Sequence, residues 1–465
     1  MLLSTIERPD LLISSHLSRL LRDSVLASGA TGFAFFYAAN VIPRLINVIP
    51  KIIHSKGIDI AEISRASRHI LKNASSLDGL PVFWSLLLSS SVAASRVMEL
   101  LFATSNKVRD LPTLFGAGIA SYLVLGFHQL RLKRANGNAS VRVSGRTFDT
   151  GLFLFTSALD FLFRKGKSTT WVRSKSKYSI SQSTIDSMTF IVSASVIMFS
   201  WFFYPSRLPH FYNHWITKFA DMDDNLTELL RLARAKKFVY GVDSGYSYVM
   251  ADSCEAMGLP RDYADPAITI PIPCVVVHQN QTSNCELHGL WRFFRAFKSA
   301  LKIYLSINLV LLLRSRSKMN IRSVLRAIKN SIRSSSFLGS FVMLTWYAVC
   351  LVRTRIGPNL FPKIKPIRWD DTIAPGLGSF LSGWSIFLES PRRRGELALF
   401  VAPRALGALF PPDFGATHEL LERIVFSLSF AILFSTAYRN RRGTLPRGSV
   451  TPRGVYAYAI MNLVQ

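Results

Sequence analysis

Apolar blocks of about helix length recur along the chain, each separated from the next by a connector rich in Arg and Lys, and no other feature narrows the fold as much. In the first half they run roughly over 24–48, 79–103, 111–130, 148–163 and 185–204. In the second they cover 336–352, 373–388, 396–410 and 420–437, with a short last run at 455–464. A single soluble core has no use for so much apolar sequence: 49% of the residues are apolar and Phe alone occurs 33 times. The layout predicts an all-α, polytopic integral membrane protein. Several blocks fall short of the ~20 residues that cross a bilayer about 30 Å thick, so tilt or local thinning has to make up the difference.

The halves read as copies of one multi-helix unit. Leu152-Phe153, Ala158-Leu159 and Leu162-Phe163 match Leu399-Phe400, Ala405-Leu406 and Leu409-Phe410 at one constant offset. Gly116 and Gly118 match Gly376 and Gly378, Phe199-Ser200 matches Phe434-Ser435, and Lys72-Asn73 and Lys329-Asn330 each precede the second block of their half. Weak internal symmetry of this kind is common in membrane transport folds. Five spans per half would make the repeats inverted and four would make them parallel; basic connectors on both prospective faces leave the choice open. The expected division is a polar tail (1–23), a first transmembrane unit (24–204), a connector (205–289), an amphipathic basic segment (290–335) and a second transmembrane unit (336–465).

Charge is lopsided, with 56 Lys and Arg against 28 Asp and Glu for a net +28. Nucleic-acid binding would need this charge on a soluble module with a readable motif, and none is present. The charges fall instead between apolar blocks, where a bilayer with anionic headgroups is the natural partner. Arg322, Arg326, Lys329 and Arg333 share one helical face, and Ile321, Leu325, Ile328 and Ile332 share the neighbouring one, as suits a helix on a membrane surface. Contacts with other membrane proteins or a second copy are also expected. The N-terminus has no h-region of a secretory signal and the C-terminus no SKL-type address, so sorting is expected to use internal signals.

The connector ends in PCVVVHQNQTSNCELH, residues 273–288, which holds two of the four cysteines. Cys274, His278, Cys285 and His288 offer the two soft and two borderline ligands that tetrahedral zinc accepts, and a structural metal is one reading of them. Independent side chains in a loop are the other. Cys350 lies inside an apolar block, where a free cysteine packs as a small hydrophobe. The acidic run Asp221, Asp223 and Asp224 lacks the glycine and distal glutamate of an EF-hand and reads as a helix N-cap.

Among the apolar blocks, Gly376, Ser379 and Gly383 form a small-residue helix face suited to close packing, and Gly378 is a further packing candidate on the same block. Glu389 ends that helix and Arg404 lies well inside the next block, where it needs a partner or a polar cavity. Arg96 and Glu99, three residues apart, can pair along one helix. These charges could line a solute or lipid pathway, or serve only as ion pairs that fix packing. Phosphate loops, a nucleophile elbow and a His-Glu-x-x-His pattern are all missing, so no enzyme is expected.

The run GLGSFLSGWSIFLESPRRRGELALFVAPRAL, the upstream Cys/His block, LKIYLSINLVLLL and FLGSF together resemble the transmembrane protein 135 family. The likeness is best from Pro273 onward, and Cys274 and Cys285 stand where the family has cysteines. It implies a non-enzymatic, multi-pass protein of peroxisomal or mitochondrial membranes, linked to lipid handling or organelle dynamics. In its helical units the family is similar to the inner-membrane translocase channel and to peroxisomal membrane proteins. A transporter or channel, and a metal-dependent membrane enzyme centred on residues 273–288, are the alternatives.

Overall fold

The computed structural model describes residues 25–34, 37, 80–102, 111–135, 145–168, 181–314, 320–410, 416–443 and 449–463. Within them the chain is all-α, with no strand. The helices are α1 (Val25–Ala34), α2 (Leu80–Leu101), α3 (Leu111–Ala135), α4 (Gly145–Ser168), α5 (Gln182–Phe203), α6 (His210–Ala220), α7 (Asp224–Arg234) and α8 (Tyr248–Ala256). They continue with α9 (Cys274–Val277), α10 (Cys285–Arg314), α11 (Ile321–Leu351), α12 (Ala374–Ser382), α13 (Pro391–Leu409), α14 (Ala416–Arg441) and α15 (Val455–Leu463). The polar tail, most of the first apolar block and Lys72-Asn73 lie outside the described residues.

Five helical stretches among the described residues are long and apolar enough to cross a membrane: Leu80–Leu101, Leu111–Arg134, Gln182–Phe203, Ile321–Leu360 and His418–Arg441. Their outer faces carry large apolar side chains. On α3, Phe115, Ile119, Leu123 and Phe127 all point outward; in water such a stripe would be a liability, and in lipid it is the ordinary surface.

Contacts sort the chain into two units, 1–177 with 412–465 and 178–411, a division other than the linear one expected from the sequence. In the first unit α3 packs on α2 and α14, and α14 packs on α4. Phe426, Phe430, Phe434 and Tyr438 stack at four-residue steps down α14, facing Phe83, Trp84, Leu87 and Leu88 of α2. In the second unit α12 packs on α11 and α5, and α5 packs on α13. The helices paired by the sequence matches therefore keep corresponding neighbours, except that each unit takes its fourth helix, α14 or α5, from the other half of the chain.

The small-residue face on the 373–388 block is real but not on one uniform helix. The α-helix stops at Ser382 and tightens into a 3₁₀ turn over Gly383–Leu388, after which Glu389 leaves the helical conformation. A Cβ on Gly378 would stand 2.8 Å from Val349 Cγ2 and 2.9 Å from the Thr345 carbonyl oxygen on α11; one on Gly383 would stand 2.9 Å from Ile191 Cα on α5. Ser379 is fully buried and its hydroxyl donates to the Pro375 carbonyl at 2.7 Å. Because backbone cannot yield as a flexible side chain can, Gly383→Ala is expected to cost ~1–3 kcal/mol, read as a lower thermal midpoint of the purified protein. At Gly376 the nearest atom to an added methyl is Phe199 Cε2 at 3.8 Å, so Gly376→Ala is expected to stay within ~0.5 kcal/mol of the parent. Equal midpoints for the two variants would remove the close-approach role of Gly383.

Candidate metal centre

Local sequence folds the 273–288 stretch back on itself. Pro273 starts the single turn α9, and Gln279 and Asn280 both take the left-handed conformation, with φ of 56° and 52°, to reverse the chain. Asn284 then caps α10, its side-chain oxygen accepting from the Glu286 and Leu287 amides at 2.9 and 3.1 Å. Cys274 and Cys285 thus open two successive helices and are brought side by side.

The third element is the end of α11. There the backbone slips into a π-turn over Val352–Ile356, closed by the Gly357 amide donating to the Val352 carbonyl. Pro358, which has no N–H to give, follows at once. A Cβ on Gly357 would lie 2.3 Å from the Val352 carbonyl oxygen, so the turn requires glycine. Just before it Cys350 points inward, 1% exposed, and its Sγ lies 3.1 Å from His278 Nε2.

Cys274, His278, Cys285 and Cys350 each offer one ligand atom, and these atoms all lie within 4.8 Å of one another. In a tetrahedral site two sulfurs, each about 2.3 Å from zinc, stand about 3.8 Å apart, so the widest pair would draw in by up to about 1 Å on binding. The imidazole is already oriented: His278 Nδ1–H donates to the Thr282 carbonyl at 2.8 Å, which leaves Nε2 with its lone pair toward the three sulfurs. A hydrogen bond from the Cys350 thiol, opposed by burial and helped by the positive charge of Arg353, holds the Cys274 thiol down at about 5. Burial, and then the Cys274 charge, raises Cys285. Three thiols, one of them disposed to ionise, and one tautomer-fixed imidazole are a donor set that fits zinc.

This set corrects two sequence expectations. His288 is not among the four. Its ring stacks on that of His278, with centroids 4.2 Å apart, and its Nε2 accepts from Arg292 Nε at 3.2 Å. Burial pushes its pKa down to about 3, so it is a neutral packing group. Cys350 replaces it, 72 residues beyond His278, and is no inert core residue. Arg292 was also not singled out. Its guanidinium is 1% exposed, lies 4.1 Å from the Trp346 ring centre, and donates to the Asp221 carbonyl at 2.7 Å and Gln279 Oε1 at 3.1 Å. Asp223 caps α7 as expected, accepting from the Asn225 amide at 3.0 Å.

The other residues picked from the sequence lie apart from this centre. Arg404 sits over the Phe400 and Tyr212 rings, 4.0 and 5.0 Å from their centres, and donates to the Phe400 carbonyl. Glu389 is 3% exposed and pairs with Arg393 at 3.8 Å. In the first unit Glu99 pairs with Arg442 at 2.8 Å rather than with Arg96, whose guanidinium lies 5.6 Å from the Tyr438 ring centre. Arg442, one residue past the end of α14, takes the ion pair in place of the i,i+3 partner. Glu422, not singled out from the sequence, is a buried carboxylate accepting from Thr147 at 2.8 Å and Gln129 at 3.3 Å. On α11, Arg322, Arg326, Lys329 and Arg333 are exposed, as are Ile321, Leu325, Ile328 and Ile332 beside them.

Comparison with known proteins agrees with where this centre lies. Residues 271–412 match the family model described as the N-terminal cysteine-rich region of Transmembrane protein 135, a stretch that contains all four clustered residues. The resemblance read from the sequence holds over that region. No curated protein matches the chain and no solved structure does. With its long apolar helices, the chain is a multi-pass integral membrane protein.

Proposed function

We propose that this is a non-enzymatic membrane protein whose second unit is locked by a structural zinc ion on Cys274, His278, Cys285 and Cys350. One observation carries the reading: four donor atoms from the start of α9, the residue that follows it, the start of α10 and the end of α11 converge within 4.8 Å. Four protein ligands fill a tetrahedral shell, which is the pattern of structural sites; catalytic zinc keeps a position open for water or substrate. The metal-dependent enzyme therefore has less in its favour. The exposed basic face of α11 suits anionic headgroups, with its neighbouring isoleucine and leucine side chains in the interface.

The family resemblance supports a peroxisomal or mitochondrial membrane and a part in lipid handling or organelle dynamics. Imaging a tagged chain against markers of both organelles tests the location, and coincidence with neither would end that part of the reading. For the metal, elemental analysis of the detergent-purified full chain is expected to find about one zinc per chain, as four ligands imply. A fully folded, metal-free preparation would sink the structural-zinc reading.

A further inference from the structure

We propose that the second unit holds a binding cavity for an uncharged single-chain lipid, with the lipid's oxygen-bearing end on Arg353; this rests on reading the chain as a lipid-handling membrane protein. The cavity has a volume of about 330 Å³ and lies between the candidate spans α5 and α11 and the connector helices α6 and α7. Its walls are almost wholly carbon, with Trp201, Leu229, Phe238, Trp346 and Phe400 among them. The volume is in the range of small-molecule sites. Water gains little against carbon walls, so an apolar occupant is what suits them.

A buried ion pair interrupts the lining, which also carries the polar side chains of Tyr212, Tyr304 and Thr345. Arg353 is 5% exposed and pairs with Asp370 through Nε and, at 3.2 Å, Nη2, while Tyr240 donates to Asp370 Oδ2 at 2.6 Å. All three residues line the cavity, and Arg353 Nη1 is buried with no hydrogen-bond partner. A buried donor left unmade is costly, and a side-chain shift that opens Nη1 to the cavity would let a ligand oxygen satisfy it. Charge selects the class. Asp370 already balances Arg353, so a carboxylate or phosphate would bring an uncompensated charge into an apolar pocket, whereas a hydroxyl or ester carbonyl brings an acceptor alone. Val277 and Val349, next in sequence to the ligands His278 and Cys350, also line the cavity, so the metal centre braces one of its walls.

The test uses the purified full chain in detergent and a monoacylglycerol that carries a photoreactive diazirine on its chain. Crosslinks are expected on Gln182–Phe203 and Ile321–Leu351, competed by unlabelled monoacylglycerol and at least roughly tenfold less well by the corresponding fatty acid at neutral pH. Ala233→Trp and Ala194→Trp, at two separate points of the wall, are each expected to cut labelling by a similar factor, with folding checked by thermal unfolding. Labelling that survives in a folded, filled variant overturns the site, as does failure of the unlabelled lipid to compete on the parent chain. Equal competition by the fatty acid overturns the uncharged class, and equal labelling by a diazirine phosphatidylcholine shows annular lipid only. Binding is read on isolated protein, so a chain found in another membrane or carrying no zinc would defeat the proposed function while leaving this result standing, and the converse holds.

Discussion

Cys350→Ser is expected to empty the metal centre and to lower the thermal midpoint of the second unit by roughly 10 °C, the scale of several lost kcal/mol in a domain of this size. Structural zinc supplies about 10–16 kcal/mol of apparent binding free energy in small zinc-binding peptides, comparable with a whole domain's stability. Serine keeps the size of the side chain but not the soft thiolate, and three ligands hold zinc far less tightly than four. Zinc per chain should fall well below the parent's value. A strong chelator should lower the parent's midpoint to that of the variant and leave the variant unchanged. His288→Asn is the control: its ring stacks on His278 without joining the cluster, so zinc should remain bound. If His288→Asn loses the metal and Cys350→Ser keeps it, the ligand set is wrong.

The second large effect concerns the ion pair at the cavity. The Arg353 and Asp370 side chains are 5% and 10% exposed, so solvent screens little of their attraction. Asp370→Asn leaves the guanidinium buried without its counter-charge and is expected to cost about 3–5 kcal/mol. The double replacement Arg353→Met with Asp370→Leu removes both charges and should recover most of that loss, because neither desolvated ion remains. Tyr240→Phe removes one donor to the carboxylate and should cost about 1.5–3 kcal/mol. Thermal unfolding followed by tryptophan fluorescence reads all of these. A double variant as unstable as the single one would show that packing, not charge, sets the cost.

Much of this molecule is legible in its residues. The apolar blocks mark the helices, Asp223 marks a cap, and Gly378 with Gly383 marks the faces where helices approach closely. Three of the four clustered donors lie within one short stretch because a local turn suffices to join Cys274, His278 and Cys285. Cys350 could not be placed that way. It reaches the cluster only because α11 packs along α10, and nothing in its apolar surroundings sets it apart from a core cysteine. The close Arg96–Glu99 pair is missing for a similar reason: helical spacing permits it, but Arg442, just past the end of α14, takes the ion pair with Glu99.

The sequence by itself determined the all-α class, the long apolar helices and the basic face of α11. Only the tertiary structure decided which helices meet, and it joined α14 to the first unit and α5 to the second across the linear boundary. The reason is physical. A soluble helix declares its buried face by being apolar there and polar elsewhere, whereas a helix in lipid is apolar on both its packed and its lipid-facing sides, so its pattern cannot name its partner. That choice is made by the fit of small residues, aromatic rings and buried charges between particular helices, and the same fit carries Cys350 to the other three ligands.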